Sequence, residues 1–570
     1  RLPEGEYPVV IRATGLSVEA TPQAAPSTRA TVDGDWQGVT SVALKIGDAV
    51  KEYTVTATDA DGYKSATLSR ENDPYYWISR NPITVSAWWP LDNTDITQMP
   101  VVKVAEDQSK LADFQKSDFI SAENQTVKFD DPTLGFTHRT ARVAIELKPG
   151  TGFTSVAGAT VSLVSLSADN GNPTAIKTYN ASGNTYEALT APQTVVAGKP
   201  FVRVELGGGT FYFRPQNNVV LEAGNRYTYT VKVNATGLTL EGCTIGSWTD
   251  GGGESGAAED LGYSIQNDGS YTVYNANGLM NVAELVNGGK TDINITLDKN
   301  IDLTGKVWTP IGTSFRNSYT GTLDGGGHSI TGLTVTTNDQ FVGLFGCLGE
   351  AGTVKNVVME GVQITCNHGS GYAGGVVGSS DGTIENCSVS GSVSGTVYVG
   401  GVVGLQWFGS ITGCSSSATV KGMVDVGGVA GQTNAGATLT ACYATGNVTL
   451  ELDPIKNISG GGLVGFNGGS SVIACYATGN VTSTGSSTGK VHIGGFLGDN
   501  YTTVTACYWK NNYEQGIGYN KEGIAPEATK VDGVTVKWQK AVDAMNTALQ
   551  TAGSKWRYEL KGALPTLRKQ

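Results

Sequence analysis

Seven of the eight cysteines, Cys347, Cys366, Cys387, Cys414, Cys442, Cys475 and Cys507, lie in the later part of the chain, and only Cys243 stands apart. The nonapeptide "ACYATGNVT" occurs twice, at 441–449 and 474–482, with a cysteine in second place each time. A thiol that recurs this way has three possible uses. Metal binding calls for paired ligands such as CxxC converging on one point; here no CxxC exists, and His328, His368 and His492 are scattered. Disulfides would need Cβ atoms about 3.8 Å apart, closer than the roughly 4.8 Å at which in-register strands hold their side chains. The favoured reading is that cysteine serves as a small buried hydrophobe. Val357, which takes the equivalent place in the first unit, supports it.

Other reactive groups are sparse. Between Cys387 and Leu450 the only acid is Asp425 and the only base Lys421. A hydrolytic carboxylate pair is therefore not expected on the repeat faces. Asp298, Asp302 and Asp324 form the richest acidic stretch, and "TLDGGGHSITGL" places Asp324 near His328 across a glycine turn, where an Asp capping its own backbone is the expected role. No GxSxG, phosphate loop or HExxH motif is present. No catalytic residue, metal or cofactor is expected. The remaining candidates are aromatic: Trp407 and Phe408 in "LQWFGS", Tyr501 in "GDNYTT" and Trp509 in "CYWKNNY" read as loop rings that could contact a ligand, or pack on their own coil.

The elements that position these residues follow from a repeat. "VGLFG", "GGVVG", "GGVVG", "GGVAG", "GGLVG" and "GGFLG" recur at intervals of 32, 26, 27, 34 and 33 residues, each followed by a second strand carrying Val357 or Cys387, Cys414, Cys442, Cys475 and Cys507. A period of 20–50 residues predicts a solenoid. One coil per repeat makes these six positions a core ladder. Two amphipathic segments predict caps: one starts at Asn275 with Leu279, Val282 and Leu285 or Val286 on a face, and the other carries Trp538, Val542, Met545 and Leu549 before Gly553.

The first half has a different texture. "SVALKIG", "ITVSAWW", "ARVAIEL", "KPFVRVEL" and "RYTYTVKVN" alternate with period two, as half-buried antiparallel strands do. "TDGGGESGAAEDLG" at 249–262 reads as a linker. Charged residues are 16%, and glycine is 78 of 570, a composition for strands and turns. A net charge of −12 disfavours nucleic acid and anionic membranes as partners. No apolar run is long enough to span a bilayer. The chain opens directly on "RLPEGEYPVV", so any targeting segment is expected to have been removed upstream.

Two resemblances rest on these stretches. The units "GGVVG" and "GGLVGFNGG…ACYATGNVT", over roughly 340–512, look like the GLUG motif of bacterial surface adhesins. "TRATVDGDW", "ITVSAWWP", "LGFTHRTARVAIEL" and "LEAGNRYTYTVKVNATGLTLEGCTIGSWTDGG" resemble the fimbrillin-like pilins of Bacteroidales. The second resemblance implies tandem transthyretin-like sandwiches and a lipidated precursor. It also implies assembly at the outer membrane by strand addition, after cleavage behind an arginine removes a first strand. Here that strand would be 7–20 and the processing site Arg29, with Arg12 as the rival.

The expected fold is therefore all-β: sandwiches over 1–125 and 126–248, a linker over 249–262, a parallel β-helix or solenoid over 263–520, and a cap with a helix over 521–570. The expected protein is a non-enzymatic adhesin at the cell surface or fimbrium. It would pair with other pilin subunits, and its ligand would be a host or microbial glycan or protein. The solenoid in place of a terminal donor strand suggests a tip subunit. The alternatives are a glycan-binding or glycan-processing surface protein and a spacer without ligand.

Overall fold

The computed structural model describes residues 1–16, 30–235, 237–245 and 259–570. It divides into two compact units, 1–260 and 261–570, taken here in turn.

In the first unit, period-two alternation becomes two sandwiches. The first is one eight-stranded sheet folded on itself. Its order is 133–135, 11–14, 66–69, 49–57, 41–46, 83–89, 120–127, 137–138. The two end strands are consecutive in the chain, joined by the fully buried Phe136, so a single bent segment closes the sheet. The core holds Trp36, Tyr53, Val85 and Ile120. The division between sandwiches thus falls after His138 rather than at 125: Ile120–Val127 runs across the expected boundary, and the two short strands beyond it complete the first sheet. The second sandwich stacks 176–177, 160–163, 202–206, 209–213 and 259–260 against 179–182, 185–190, 141–149, 226–234 and 237–245 over one apolar core. The strand Glu259–Asp260 belongs to this sandwich, inside the stretch expected to be linker. The rest of that linker lies largely outside the described residues.

In the second unit, each repeat is one coil. One coil reads Tyr372–Gly374, Val377–Ser380, Thr383–Glu385 and Ser388–Ser394. The next pairs with it in parallel, Tyr372 with Tyr398, Thr383 with Ser410 and Ser388 with Ser415. Four parallel ladders result, around a single continuous core. The helix Ala276–Asn287 closes the first coil. The Asn275 side chain caps it, accepting from the Gly278 N–H at 2.8 Å, and Leu279, Val282 and Val286 enter the solenoid core.

The far end differs from expectation. The stripe Trp538, Val542, Met545 and Leu549 does form on the helix Trp538–Thr551. It packs on Ala441, Ala474, Tyr476 and Tyr508, which lie on successive coils outside the main core. The helix is therefore a flank strap, and the last coil is closed instead by Trp509, Tyr513 and Ile517. Ala528–Lys530 still pairs with Cys507–Trp509, so the ladder runs past residue 520. No helix among the described residues is long and apolar enough to cross a membrane.

Candidate functional site

The first feature with functional potential is the strand Ile11–Thr14. It lies inside the sheet, antiparallel to 66–69 and parallel to 133–135. Val9, Ile11, Ala13 and Leu16 are all buried in the first core. Arg29 and residues 17–20 of the expected removable strand lie outside the described residues; Arg12 sits within Ile11–Thr14.

The chain from Thr31 to Asp33 is held tightly. Thr31 Oγ1 donates to Asp118 Oδ2 at 2.7 Å, and Thr140 Oγ1 donates to Asp118 Oδ1 at 2.8 Å. His138 Nδ1 is 2.9 Å from the same carboxylate. Burial works to raise the Asp118 pKa, but His138 and the two hydroxyls hold it below the usual carboxylate range. Burial likewise opposes charge on His138, and Asp118 overcomes it, raising the imidazole pKa. Val32 packs with Phe114 and Leu189. Arg142 reaches the Val32 carbonyl at 2.8 Å, Asp33 at 3.1 Å and Glu187 of the second sandwich at 2.7 Å.

In the solenoid, the six ladder positions Val357, Cys387, Cys414, Cys442, Cys475 and Cys507 are all buried. Each is preceded by a residue of positive φ: Asn356, Asn386, Gly413, Ala441, Ala474 and Ala506. These left-handed residues turn the chain between two ladders. Asparagine and glycine take that conformation readily, whereas alanine does so at a cost of about 1 kcal/mol. The thiols are threaded between coils: the Cys442 and Cys475 amides each lie 3.4 Å from the sulfur of the next coil's cysteine. Burial pushes the Cys442 and Cys475 thiols far above their ordinary pKa. Among the described residues these cysteines form no disulfide, and no cluster of metal-ligating side chains occurs.

A second column stands two places before a glycine of each repeat. Register places Phe341, Tyr372, Tyr398, Asp425, Ser459 and His492 in line on successive coils. The Phe341–Tyr372 and Tyr372–Tyr398 ring centroids are 4.9 and 4.7 Å apart. The line then turns polar at Asp425 and Ser459 and aromatic again at His492, whose ring stacks on Tyr519 at 5.0 Å. Tyr519 leads to Tyr501 at 5.8 Å, and Tyr501 to Phe466 at 5.4 Å. Beneath the polar gap, Asp499 accepts from Ser459 on one oxygen, and its other oxygen lies 2.7 Å from His492 Nδ1. Asp425 is 8% exposed. Burial, and then the charge of Asp499, push its carboxyl well above the usual range.

Stacking thus brings together two acids, Asp425 and Asp499, that lie far apart in the sequence. The signal lay in the repeat itself, as "YAGG", "YVGG", "DVGG" and "HIGG" align at one position. Of the ring candidates, Trp407 is 40%, Phe408 54% and Tyr501 37% exposed. Trp407 and Tyr501 each follow a residue of one register column, Gln406 and Asn500, three coils apart. Trp509 does not stand on a loop. It is 7% exposed and lies in the strand Cys507–Trp509, where its indole N–H donates to the Tyr513 carbonyl at 3.0 Å. Asp324 accepts from the Gly326 N–H at 2.9 Å, the local turn expected of it, and from Asn356 at 3.0 Å.

Comparison with known proteins agrees with this layout. Residues 28–248 match the fimbrillin-like family, and 369–394, 395–421 and 456–482 match the GLUG motif. Over 101 residues the chain is 42% identical to Halomucin of Haloquadratum walsbyi, a match spanning 18% of this chain and 1% of that protein. Two solved structures are similar to parts of the chain at low superposition. A Bacteroides ovatus protein described as an immunoglobulin A1 protease is 18% identical, with a TM-score of 0.42, over 53% of this chain and 93% of its own. A Bacteroides uniformis protein described as a cell adhesion protein is 19% identical, with a TM-score of 0.30, over 42% of this chain and 99% of its own.

Proposed function

We propose that the chain is a non-enzymatic fimbrial adhesin of the cell surface. Its fimbrillin-like half would receive a strand from a neighbouring pilin subunit, and its solenoid would be the displayed, ligand-facing body at a fibre tip. Export would proceed through a lipidated precursor.

The observation that carries this reading is the placement of Ile11–Thr14. The strand belongs to the chain's N-terminal segment, is flanked by a partner on each side, and buries Val9, Ile11, Ala13 and Leu16. Its loss would open a slot with hydrogen-bonding edges on both sides and an apolar floor, which a strand of another subunit can fill. Re-covering that floor is worth roughly 5 kcal/mol or more, an upper-range figure from burial. The clamps on Thr31, Val32 and Asp33 would keep the downstream chain seated after a cut at Arg29. Hydrolytic chemistry finds little support in the solenoid, because both oxygens of Asp499 are engaged by Ser459 and His492.

The test is cleavage of the full chain by an arginine-specific protease, followed by incubation with a fluorescent peptide of a fimbrillin donor strand. Cutting at Arg29, release of residues 1–29 and stable peptide uptake are expected. Cutting only elsewhere, or uptake that is equal before and after cleavage, overturns the reading.

A further inference from the structure

The polar gap at Asp425 and Ser459 interrupts an otherwise aromatic column. Tyr398 borders it on one side, His492 and Tyr519 on the other. From Tyr398 to His492 is three coil steps, about 14 Å at the strand spacing. Within it, Asp499 is bonded to Ser459 and His492, whereas the Asp425 carboxyl has no hydrogen-bond or ion-pair partner among the described residues, although it is only 8% exposed. Val426, its neighbour, points into the solenoid core, so Asp425 faces the opposite side of its strand, along the column. Its oxygens are not among the fully enclosed unpartnered atoms, so an incoming donor can reach the carboxyl and take the place of its remaining contact with water.

We propose that this gap binds a neutral carbohydrate chain, with Asp425 accepting from its hydroxyls while Tyr398, Tyr519 and Tyr501 stack against its rings. The inference rests on reading the solenoid as the ligand-facing body. Four features select the chemistry. Rings at both ends present flat apolar faces at coil spacing. The group between them accepts hydrogen bonds, so the ligand must supply donors, as hydroxyls do. No lysine or arginine lies in the column itself, so a sialylated or uronic-acid glycan would have to bury its carboxylate there without a cation. Finally, Asp425 and Ser459 expose only 8% and 4% of their surface, so contact with them is confined to the line of the column and favours a chain over a broad protein face.

The test is calorimetric titration of the full chain with the neutral hexasaccharides of mannose, glucose, galactose and N-acetylglucosamine, against sialyllactose and hexagalacturonate. At least one neutral chain should bind, and the acidic ones at least tenfold more weakly. Tyr501→Ala and Tyr519→Ala, both at exposed rings, should each weaken binding about tenfold, and Asp425→Asn should do the same while the chain still melts cooperatively and no earlier than the parent. Trp407→Ala with Phe408→Ala should change it less than twofold. The assignment is overturned if no neutral hexasaccharide binds, if acidic chains bind as well, if the Trp407 and Phe408 variants alone abolish binding, or if these rings bind only a protein. Peptide uptake by the first unit, measured on the same preparations, separates failure of this site from failure of the strand-acceptor reading.

Discussion

Gly413 sits in a left-handed column otherwise filled by asparagine and alanine. Ala441, Ala474 and Ala506 show that a methyl group is tolerated by that backbone, so conformation alone does not require glycine there. Its neighbour does: a Cβ at Gly413 would overlap the Trp556 indole. Gly413→Ala is expected to lower stability by about 1–3 kcal/mol, and Trp556→Ala in the same chain to recover part of that loss, as a double-mutant cycle in urea would read. Asp425 makes a prediction of opposite character. Its folded pKa is raised, so its contribution is fully present below the unfolded carboxylate pKa of about 4 and is lost as pH rises through the folded value. Asp425→Asn should therefore stabilise the ligand-free chain at neutral pH, by about 1–3 kcal/mol, and leave it unchanged near pH 3.5. Urea midpoints at the two pH values check this.

The Thr31–Asp33 turn is held to its surroundings by a buried carboxylate and an arginine, which makes it an anchored element rather than a loop end. Asp118→Ala leaves His138 and two hydroxyls without their acceptor and should cost about 3–5 kcal/mol. Hydrogen exchange should then quicken at 31–36 before the sandwich cores open. The pH window follows from both partners. Asp118 is lowered, so its share is lost as pH falls through its folded pKa; His138 is raised, so its share is lost as pH rises through its own. The anchor is strongest in mildly acidic solution. At this scale the sequence was informative where a period is strict. Strands such as Arg226–Asn234 alternate cleanly, and the Asn275 cap and its stripe stand out at 3.6 spacing. It was silent where the partner is distant. The stripe on Trp538–Thr551 was visible, but that it lies on Ala441 and Ala474 was not, because no spacing rule links a helix to alanines on distant coils. Trp509 looked like a loop ring because the asparagines after it suggest a turn, yet the final coil needs a large side chain to close its end. Asp118 and His138 are 20 residues apart, and no spacing rule links them.

Across the whole molecule, the coils behave as interchangeable units with mainly nearest-neighbour contacts. Asn356 and Asn386 occupy the same corner on successive coils, 30 residues apart. Deleting 357–386 should therefore join one coil to the next in register. The expected product melts in a single transition, a few kcal/mol less stable; aggregation or loss of the parallel-strand circular dichroism would show that coils are not separable in this way. The flank strap is what departs from one-dimensional behaviour. After the last coil the chain runs back outside the solenoid: Trp538 packs on Tyr476, Tyr558 donates to the Ala474 carbonyl at 2.7 Å, and Lys569 pairs with Glu385. In the proposed role at a fibre tip the chain is under tension, and the route of that tension depends on where the strap is fastened. The Lys569–Glu385 pair is partly exposed and gives way easily, but Trp556 behind it is seated on the coil of Gly413, so a pull between residues 261 and 570 enters the stack there. The coils beyond it lie off the load path, carried slack behind the fastening, until the strap peels away. The turns carrying Asp425, Ser459 and His492 are among those spared.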